Sequence, residues 1–396
     1  MQVPLLDLKA QHRRIRAEIR QAIDQVLESQ QFILGSAVQR FEAQVASYLQ
    51  SGAAIGVASG SDALLLALMA LGIKAGDAVL VPPFTFFSTV SSITRLGATP
   101  IFVDIDTHTC LIDPNAVEVV LVEQCCPDRD GQGLIDPRSK CQIKAILPVH
   151  LFGQTCPMAP LVSLARKHRL RLIEDVAQAF GARATLSKGS SRAAGTVGDF
   201  GCFSFFPTKT LGGMGDGGLV VTAQSELADT VRMLRVHGAK SKYHHETVGL
   251  NSRLDALQAA VLSVKLRYID KWCEGRIERA QIYDKLFAAT ALVGKEIIGL
   301  PPLGDARSHV FNHYVIRVRQ RNDLKRYLED HGIQSEVYYP VPLHLQPCFA
   351  SLGHRKGDFP NSELVASQVL ALPMYPELTP EQQETIVQKI EDFYRK

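Results

Sequence analysis

Apolar residues Ile15, Ile19, Ile23, Val26 and Leu27 recur at helical spacing, with Arg13, Arg14, Arg20 and Asp24 between them, which predicts an amphipathic helix. Phe32 to Gly35 breaks that period, and Val38, Phe41, Val45 and Leu49 begin a second helix. The pattern then changes to short, continuous apolar runs. Ala54 to Val57, Ala78 to Val81, Ile101 to Val103, Ala145 to Val149, Leu172 to Ile173 and Leu219 to Val221 read as buried strands. Helical stretches separate most of them, among them Leu64 to Leu71, Leu161 to His168 and the segment from about Glu226. Strands alternating with helices at this cadence predict an α/β fold with a mostly parallel sheet covered on both faces.

The C-terminal part has another rhythm. A long apolar helix (Leu257, Val261, Val264, Leu266, Ile269) leads to Trp272 and a second helix through Tyr283 and Leu286. Val310 to Val318 alternates as a strand, Leu324 to His331 is helical, and Gln334 to Tyr339 is a further strand. This predicts a large domain over residues 1–250, with a helical leader, and a smaller α+β domain over 251–396. Two polar stretches read as loops: Asp106 to Cys141, with its turn-rich Cys125 to Gly133, and Ser187 to Gly195.

Composition narrows the class. A chain of 396 residues with 46% hydrophobic content can bury a large core. The net charge of +3 is too mild for a nucleic-acid binder, which concentrates basic residues on one face. The eight cysteines form no C-x-x-C pair, so neither a zinc site nor a disulfide framework is expected. The first residues lack the basic-then-apolar signal pattern, and the longest apolar run, Ala63 to Ile73, is about half of the roughly 20 residues that span a bilayer. The expected setting is the cytoplasm, with no membrane partner.

Candidate chemistry concentrates in Gly201 to Gly218, where a short aromatic strand runs into Lys209 and a series of glycines. A lysine held there can be partly desolvated, which lowers its pKa and suits it to Schiff-base chemistry; the alternative is a solvated lysine in a turn. Upstream, the buried run Arg171 to Asp175 ends in carboxylates, and a carboxylate at a strand's C-terminal end points into the crevice where α/β sheets bind ligands. Lys209 with Asp175 is the pair that pyridoxal 5'-phosphate (PLP) demands: an amine for its aldehyde and an acid for its ring nitrogen. Gly60 and Ser61 follow a short strand and open an apolar helix, the arrangement of an anion cradle; Ser61 or Asp62 could equally cap that helix. His150, at a strand end, either lines the crevice or satisfies local backbone.

From Leu5-Leu-Asp-Leu8 to Leu372-Pro-Met-Tyr375 these motifs, in this order, resemble the sugar aminotransferases of the DegT/StrS group, PLP enzymes of fold type I. The resemblance implies further roles. Phe86 would stack on the cofactor ring, Gln178 would bond its phenolic oxygen, and Ser204 would bind its phosphate. Asn251 would reach the phosphate held by a neighbouring subunit, so a homodimer with shared active sites is expected. Tyr243, His244, His245 and Arg253 would meet an anionic substrate, and Tyr339 and His344 would close over it. No metal is implied.

By the same resemblance the enzyme moves an amino group from glutamate to a keto nucleotide sugar. The segment from Tyr243 to Asp255 is most similar to members that aminate C3 of a UDP-linked 2-acetamido-3-oxo-uronic acid. A dTDP-3-oxo-6-deoxyhexose is the alternative substrate, and a regulatory protein that keeps the fold without catalysis is the alternative class. Tyr338 departs from the pattern, standing where the members it most resembles carry histidine, and the segment 123–141 has no counterpart.

Overall fold

The computed structural model describes residues 2–128, 130, 131, 133–187, 189–305 and 307–395. Its main sheet is built from β1 (Ala53–Val57), β2 (Asp77–Val81), β3 (Thr99–Phe102), β4 (Gln142–Ile146), β5 (Arg171–Asp175), β6 (Phe200–Ser204) and β7 (Gly218–Thr222). They lie in the order β1-β7-β6-β5-β4-β2-β3. From β6 to β3 every neighbouring pair is parallel, while β7 runs antiparallel to both β6 and β1.

The apolar runs explain this sheet. All five residues of β2 and of β7 are buried, as strands covered on both faces must be. Successive side chains then enter two different cores. Phe200, Cys202 and Val220 join the core that holds the helix Gly60–Ala70, whereas Phe203, Leu219 and Val221 join the core of the two N-terminal helices, Leu8–Ser29 and Gly35–Leu49. Residues 63–68 of the helix Gly60–Ala70 are all buried, which accounts for its lack of a polar face.

The helix Ala256–Leu266 shares the core of the N-terminal helices. A third core, with Ala280, Tyr283, Phe287, Leu324, Leu328 and Ile386, forms around a three-stranded antiparallel sheet of Ile298–Gly299, Tyr314–Val318 and Val369–Leu372. The predicted strand over 334–339 is reduced to one bridge, Glu336 to Ala371. No helix among the described residues is long and apolar enough to cross a membrane.

Both predicted loops carry regular structure. Arg183–Ser187 and Ser190–Ala193 form a hairpin, held by the Arg183 guanidinium donating to the Ser191 hydroxyl and carbonyl at 3.0 and 2.9 Å. Within Asp106 to Cys141, a helix Pro114–Val119 precedes two short strands, Cys126–Pro127 and Leu134–Ile135. The second strand pairs antiparallel with β4. Backbone pairing to Gln142 and Ile143, which precede the residues of β4 that pair with β5, orders a polar sequence that has no apolar period to announce it.

Candidate active site

The parallel register sets Cys202 of β6 beside Asp175 of β5, so the two strands end together. Beyond their C-terminal ends lies a cavity of about 480 Å³, at the edge where open α/β sheets bind ligands. Gly60, Ser61, Phe86, Asp175, Gln178, Ser204, Lys209 and Tyr339 all line it. Separated by up to 279 positions in the chain, they converge because the strand ends do.

Lys209 follows the end of β6, in a turn where its N–H donates to the Phe206 carbonyl at 2.9 Å. The turn is tightly built. A side chain at Gly212 would place its Cβ 2.3 Å from the Pro207 carbonyl oxygen, so the close backbone approach needs glycine there. The buried Lys265 ammonium donates to the Gly212 carbonyl at 2.6 Å, and the Gln258 Oε1 accepts from the Met214 N–H at 2.7 Å. Burial brings the Lys209 ammonium down to about 8, against the opposing attraction of the Asp175 carboxylate.

Asp175 is buried at the end of β5. Burial raises its pKa, while the Ala177 N–H (3.1 Å, to Oδ1), the Thr89 hydroxyl (2.8 Å, to Oδ2) and the charge of Lys209 work to keep it ionised. Its neighbour Glu174 points the other way and is fully satisfied. Glu174 accepts from the N–H groups of Gly195 (2.9 Å), Val197 (2.7 Å) and Gly198 (2.8 Å), and its Oε2 lies 2.9 Å from His150 Nε2. The Cys156 N–H donates to His150 Nδ1 at 2.9 Å, so Nε2 carries the ring proton and donates it to Glu174. Both nitrogens are therefore committed, and His150 is a buried structural residue outside the cavity wall.

The helix Gly60–Ala70 starts at the cavity. Its cap is Ser59, whose hydroxyl accepts from the Asp62 N–H at 3.1 Å, rather than Ser61 or Asp62. Ser61 is left to face the cavity, its hydroxyl 2.6 Å from that of Ser88. A Cβ on Gly60 would lie 2.6 Å from the Ser204 Cβ, so only glycine leaves the helix N-terminus and the Ser204 hydroxyl open to one small anion. The Gln178 amide is fixed from both ends: Oε1 accepts from the Phe152 N–H at 2.6 Å, and Nε2 donates to the Tyr339 hydroxyl at 3.1 Å. The rings of Phe86 and Tyr339 lie 5.9 Å apart, and Phe86 is 54% exposed to the cavity side.

These residues fit PLP. An amine of lowered pKa, a buried acid, a glycine-lined anion cradle and an exposed aromatic face supply the contacts that its aldehyde, ring nitrogen, phosphate and ring require.

Other predicted residues lie elsewhere. His344 is buried with Nε2 3.1 Å from Glu363 Oε1 and its ring 4.7 Å from that of Phe359, so it belongs to a packed cluster and not to the cavity wall. Tyr243, His244 and His245 sit on an exposed hairpin of Ala239–Ser241 and His244–His245. Asn251 is exposed and Arg253 half-buried, and neither lines the cavity of its own chain. Sequence reasoning missed Thr85, Ser88, Thr89, Asp216 and His313. The hydroxyl run after Phe84 was a signal for the first three, and Asp216 lies among the glycines that follow Lys209; His313 arrives from the predicted strand Val310 to Val318, which has no local mark. His313 packs 4.4 Å from the Tyr338 ring, and burial together with Lys209 pushes its pKa well down, which keeps it neutral.

Residues 13–391 match the family model of the DegT/DnrJ/EryC1/StrS aminotransferases. The chain is 45% identical over its whole length to a protein of Geobacillus stearothermophilus named pleiotropic regulatory protein, covering 99% of it. It is 41% identical, over 96% of this chain and 95% of the relative, to the UDP-N-acetyl-3-dehydro-α-D-glucosamine 3-aminotransferase of Acidithiobacillus ferrooxidans. Among solved structures, DesV from S. venezuelae superposes with a TM-score of 0.89 at 39% identity, over 100% of this chain and 99% of that one.

Proposed function

Because the chain belongs to the DegT/DnrJ/EryC1/StrS aminotransferase family, and so is a PLP-dependent aminotransferase of fold type I, we propose that it moves an amino group from an amino acid, L-glutamate, to C3 of a nucleotide-linked keto sugar. The first substrate to consider is a UDP-linked 2-acetamido-3-oxo sugar, the uronic acid foremost. The similarity of the Tyr243 to Asp255 segment and the 3-aminotransferase relative support that order.

The observation that carries the reading is the shared cavity of Lys209 and Asp175, an amine made nucleophilic by burial beside an acid kept in place by Thr89 and Ala177. Bound PLP supplies an electron sink for a cleaved C–H bond. The protein does the rest. Asp175 would hold a proton on the ring nitrogen, Phe86 would pack on one ring face, and Gln178 would orient the phenolic oxygen. Gly60, Ser61 and Ser204 would hold the phosphate, and the Lys209 amine, once free, would move the proton between the carbon that bears the amino group and the C4′ position of the cofactor, acting as base and then acid. Catalysis in place of a purely regulatory role is favoured because nothing in this set is missing.

The assembly proposed is a homodimer in the cytoplasm. Tyr243 and Val248 are each 86% exposed, and an apolar-tipped hairpin that buries nothing on its own chain is suited to a partner. Through it Tyr243, His244, His245, Asn251 and Arg253 would complete the neighbouring cavity.

The test loads the enzyme with its amino-form cofactor and offers a panel of keto sugars, following return of the visible band of the lysine-bound form. Amination of UDP-2-acetamido-3-oxo sugars over dTDP-3-oxo-6-deoxyhexoses is expected. Preference for the dTDP sugars would move the substrate to the alternative, and failure with all of them would overturn the enzymatic reading.

A further inference from the structure

Gln258 and Lys265 lie seven residues apart in the helix Ala256–Leu266, a spacing of two turns that brings both to one face. That face meets the Lys209 turn at two points. Lys265 Nζ donates to the Gly212 carbonyl at 2.6 Å, and Gln258 Oε1 accepts from the Met214 N–H at 2.7 Å. The Gln258 amide lies so near the backbone that a Cβ on Gly213 or Gly215 would come within 2.8 or 2.9 Å of it. A third bond joins the turn to the C-terminal part of the chain, where the Thr210 hydroxyl donates to Asn312 Oδ1 at 3.2 Å. Residues 210, 212 and 214 are thus held, while Lys209 faces the cavity.

Lys265 is the unusual member of this set. It is only 6% exposed, no carboxylate among the described residues pairs with it, and burial brings its ammonium down to about 8. It borders a surface cleft with His12 and Met214, yet its bond goes to a backbone carbonyl of the turn. A lysine ordinarily buries its stem and keeps its charge in water. Packing alone would be served better by an apolar residue of like length, because a buried charge without a counter-ion is destabilising. Nor does the helix depend on either polar contact for its seat, since Ala259, Val261 and Leu262 pack in the core of the N-terminal helices.

We propose that Lys265 and Gln258 are positioning residues that set where the Lys209 amine stands, acting through the Gly212 carbonyl and the Met214 N–H. This rests on the proposed role of Lys209 as the amine that holds PLP. A turn released at one of these points lets the amine shift, and a displacement of about 1 Å can cost a reaction on the order of 100-fold.

The experiment measures covalent capture of PLP by the full-length protein freed of its cofactor, in which the Lys209 amine condenses with the aldehyde and releases water. Stopped-flow absorbance gives the rate, and mass after borohydride reduction gives the adduct. Lys265→Met and Gln258→Leu should each slow capture by roughly tenfold or more, with melting close to that of the parent. In both, the pH midpoint of capture should rise from about 8 towards the ordinary 10.5, because an amine that leaves its buried position loses the cause of its lowered pKa. Asp175, Asp216, His313, Tyr338 and Tyr339, the other titratable groups lining the cavity, are the same in parent and variants. Gln258→Glu keeps an acceptor for the Met214 N–H and should capture PLP far faster than Gln258→Leu. The proposal is overturned if Lys265→Met and Gln258→Leu capture PLP at the parent rate, or more slowly with the midpoint unmoved. It is equally overturned if capture falls only as folded protein is lost, or if Gln258→Glu is no better than Gln258→Leu. Lys209→Ala should capture none, and an adduct in that variant would overturn the role given to Lys209 itself.

Discussion

Gln178 Nε2 donates to the Tyr339 hydroxyl at 3.1 Å, joining the segment after β5 to a residue 161 positions later. The same amide accepts from the Phe152 N–H at 2.6 Å, so its orientation is set before any ligand arrives. Tyr339→Phe removes one bond and keeps the ring against Phe84 and Phe86. We expect a fall in kcat of about fivefold with little change in melting temperature, in line with a hydrogen bond worth roughly 1 kcal/mol. Steady-state kinetics beside a thermal melt would check it, and an equal loss in both would mean that the contact is only structural.

The Thr89 hydroxyl donates at 2.8 Å to Asp175, the proposed catalytic acid. In Thr89→Val the Asp175 carboxylate loses a donor that opposes the upward push of burial, so its pKa rises further and less of it is ionised to hold the ring proton. The expected result is a lower kcat whose acid limb moves to higher pH. An unshifted profile would argue against this role.

Lys209 gives a pH dependence of definite sign. With its ammonium brought down to about 8, uptake of PLP by the apo-protein should rise by about tenfold per pH unit below that value and level off above it, since only the free amine attacks the aldehyde. The folded chain also holds fewer protons than the unfolded one between about 8 and the ordinary 10.5. This group's contribution to stability therefore improves as pH rises through that window, and its penalty is fully present below about 8. Stopped-flow absorbance follows the uptake, and Lys209→Ala should yield no covalent adduct by mass after borohydride reduction.

The proposed sharing of sites between subunits predicts complementation. Lys209→Ala and Asn251→Ala chains should each be inactive alone, and a refolded equal mixture should recover roughly a quarter of parent activity, because half of random dimers are mixed and each carries one intact site. No recovery in a mixture that does form mixed dimers would remove Asn251 from the partner's site.

Glu174 predicts a stability effect. Glu174→Ala leaves three backbone N–H groups and the His150 ring without a buried acceptor, and a loss of about 3–5 kcal/mol is expected in denaturant titration. His150→Phe should cost less, since Glu174 keeps three donors and only the Cys156 N–H is left without its acceptor.

Sequence alone determined the rhythm of the fold: the apolar runs that become β2, β5 and β7, the leader helices, and the pairing of Lys209 with Asp175 as candidate chemistry. Those features are local, carried by burial period and by residue type. Only tertiary structure decided which side chains meet. Parallel registry of β6 on β5 brings Asp175 and Ser204 to one edge, while the opposite turn of the adjacent Glu174 takes His150 away with it, and His344 is drawn into the ring cluster of Phe102 and Phe359. His313 comes to the cavity from a predicted strand whose composition does not distinguish it, and Asp216 from the glycine-rich stretch after Lys209, where nothing local says which way it faces. Period fixes which face a residue occupies; strand order and direction fix what stands opposite it, and no window of sequence contains both.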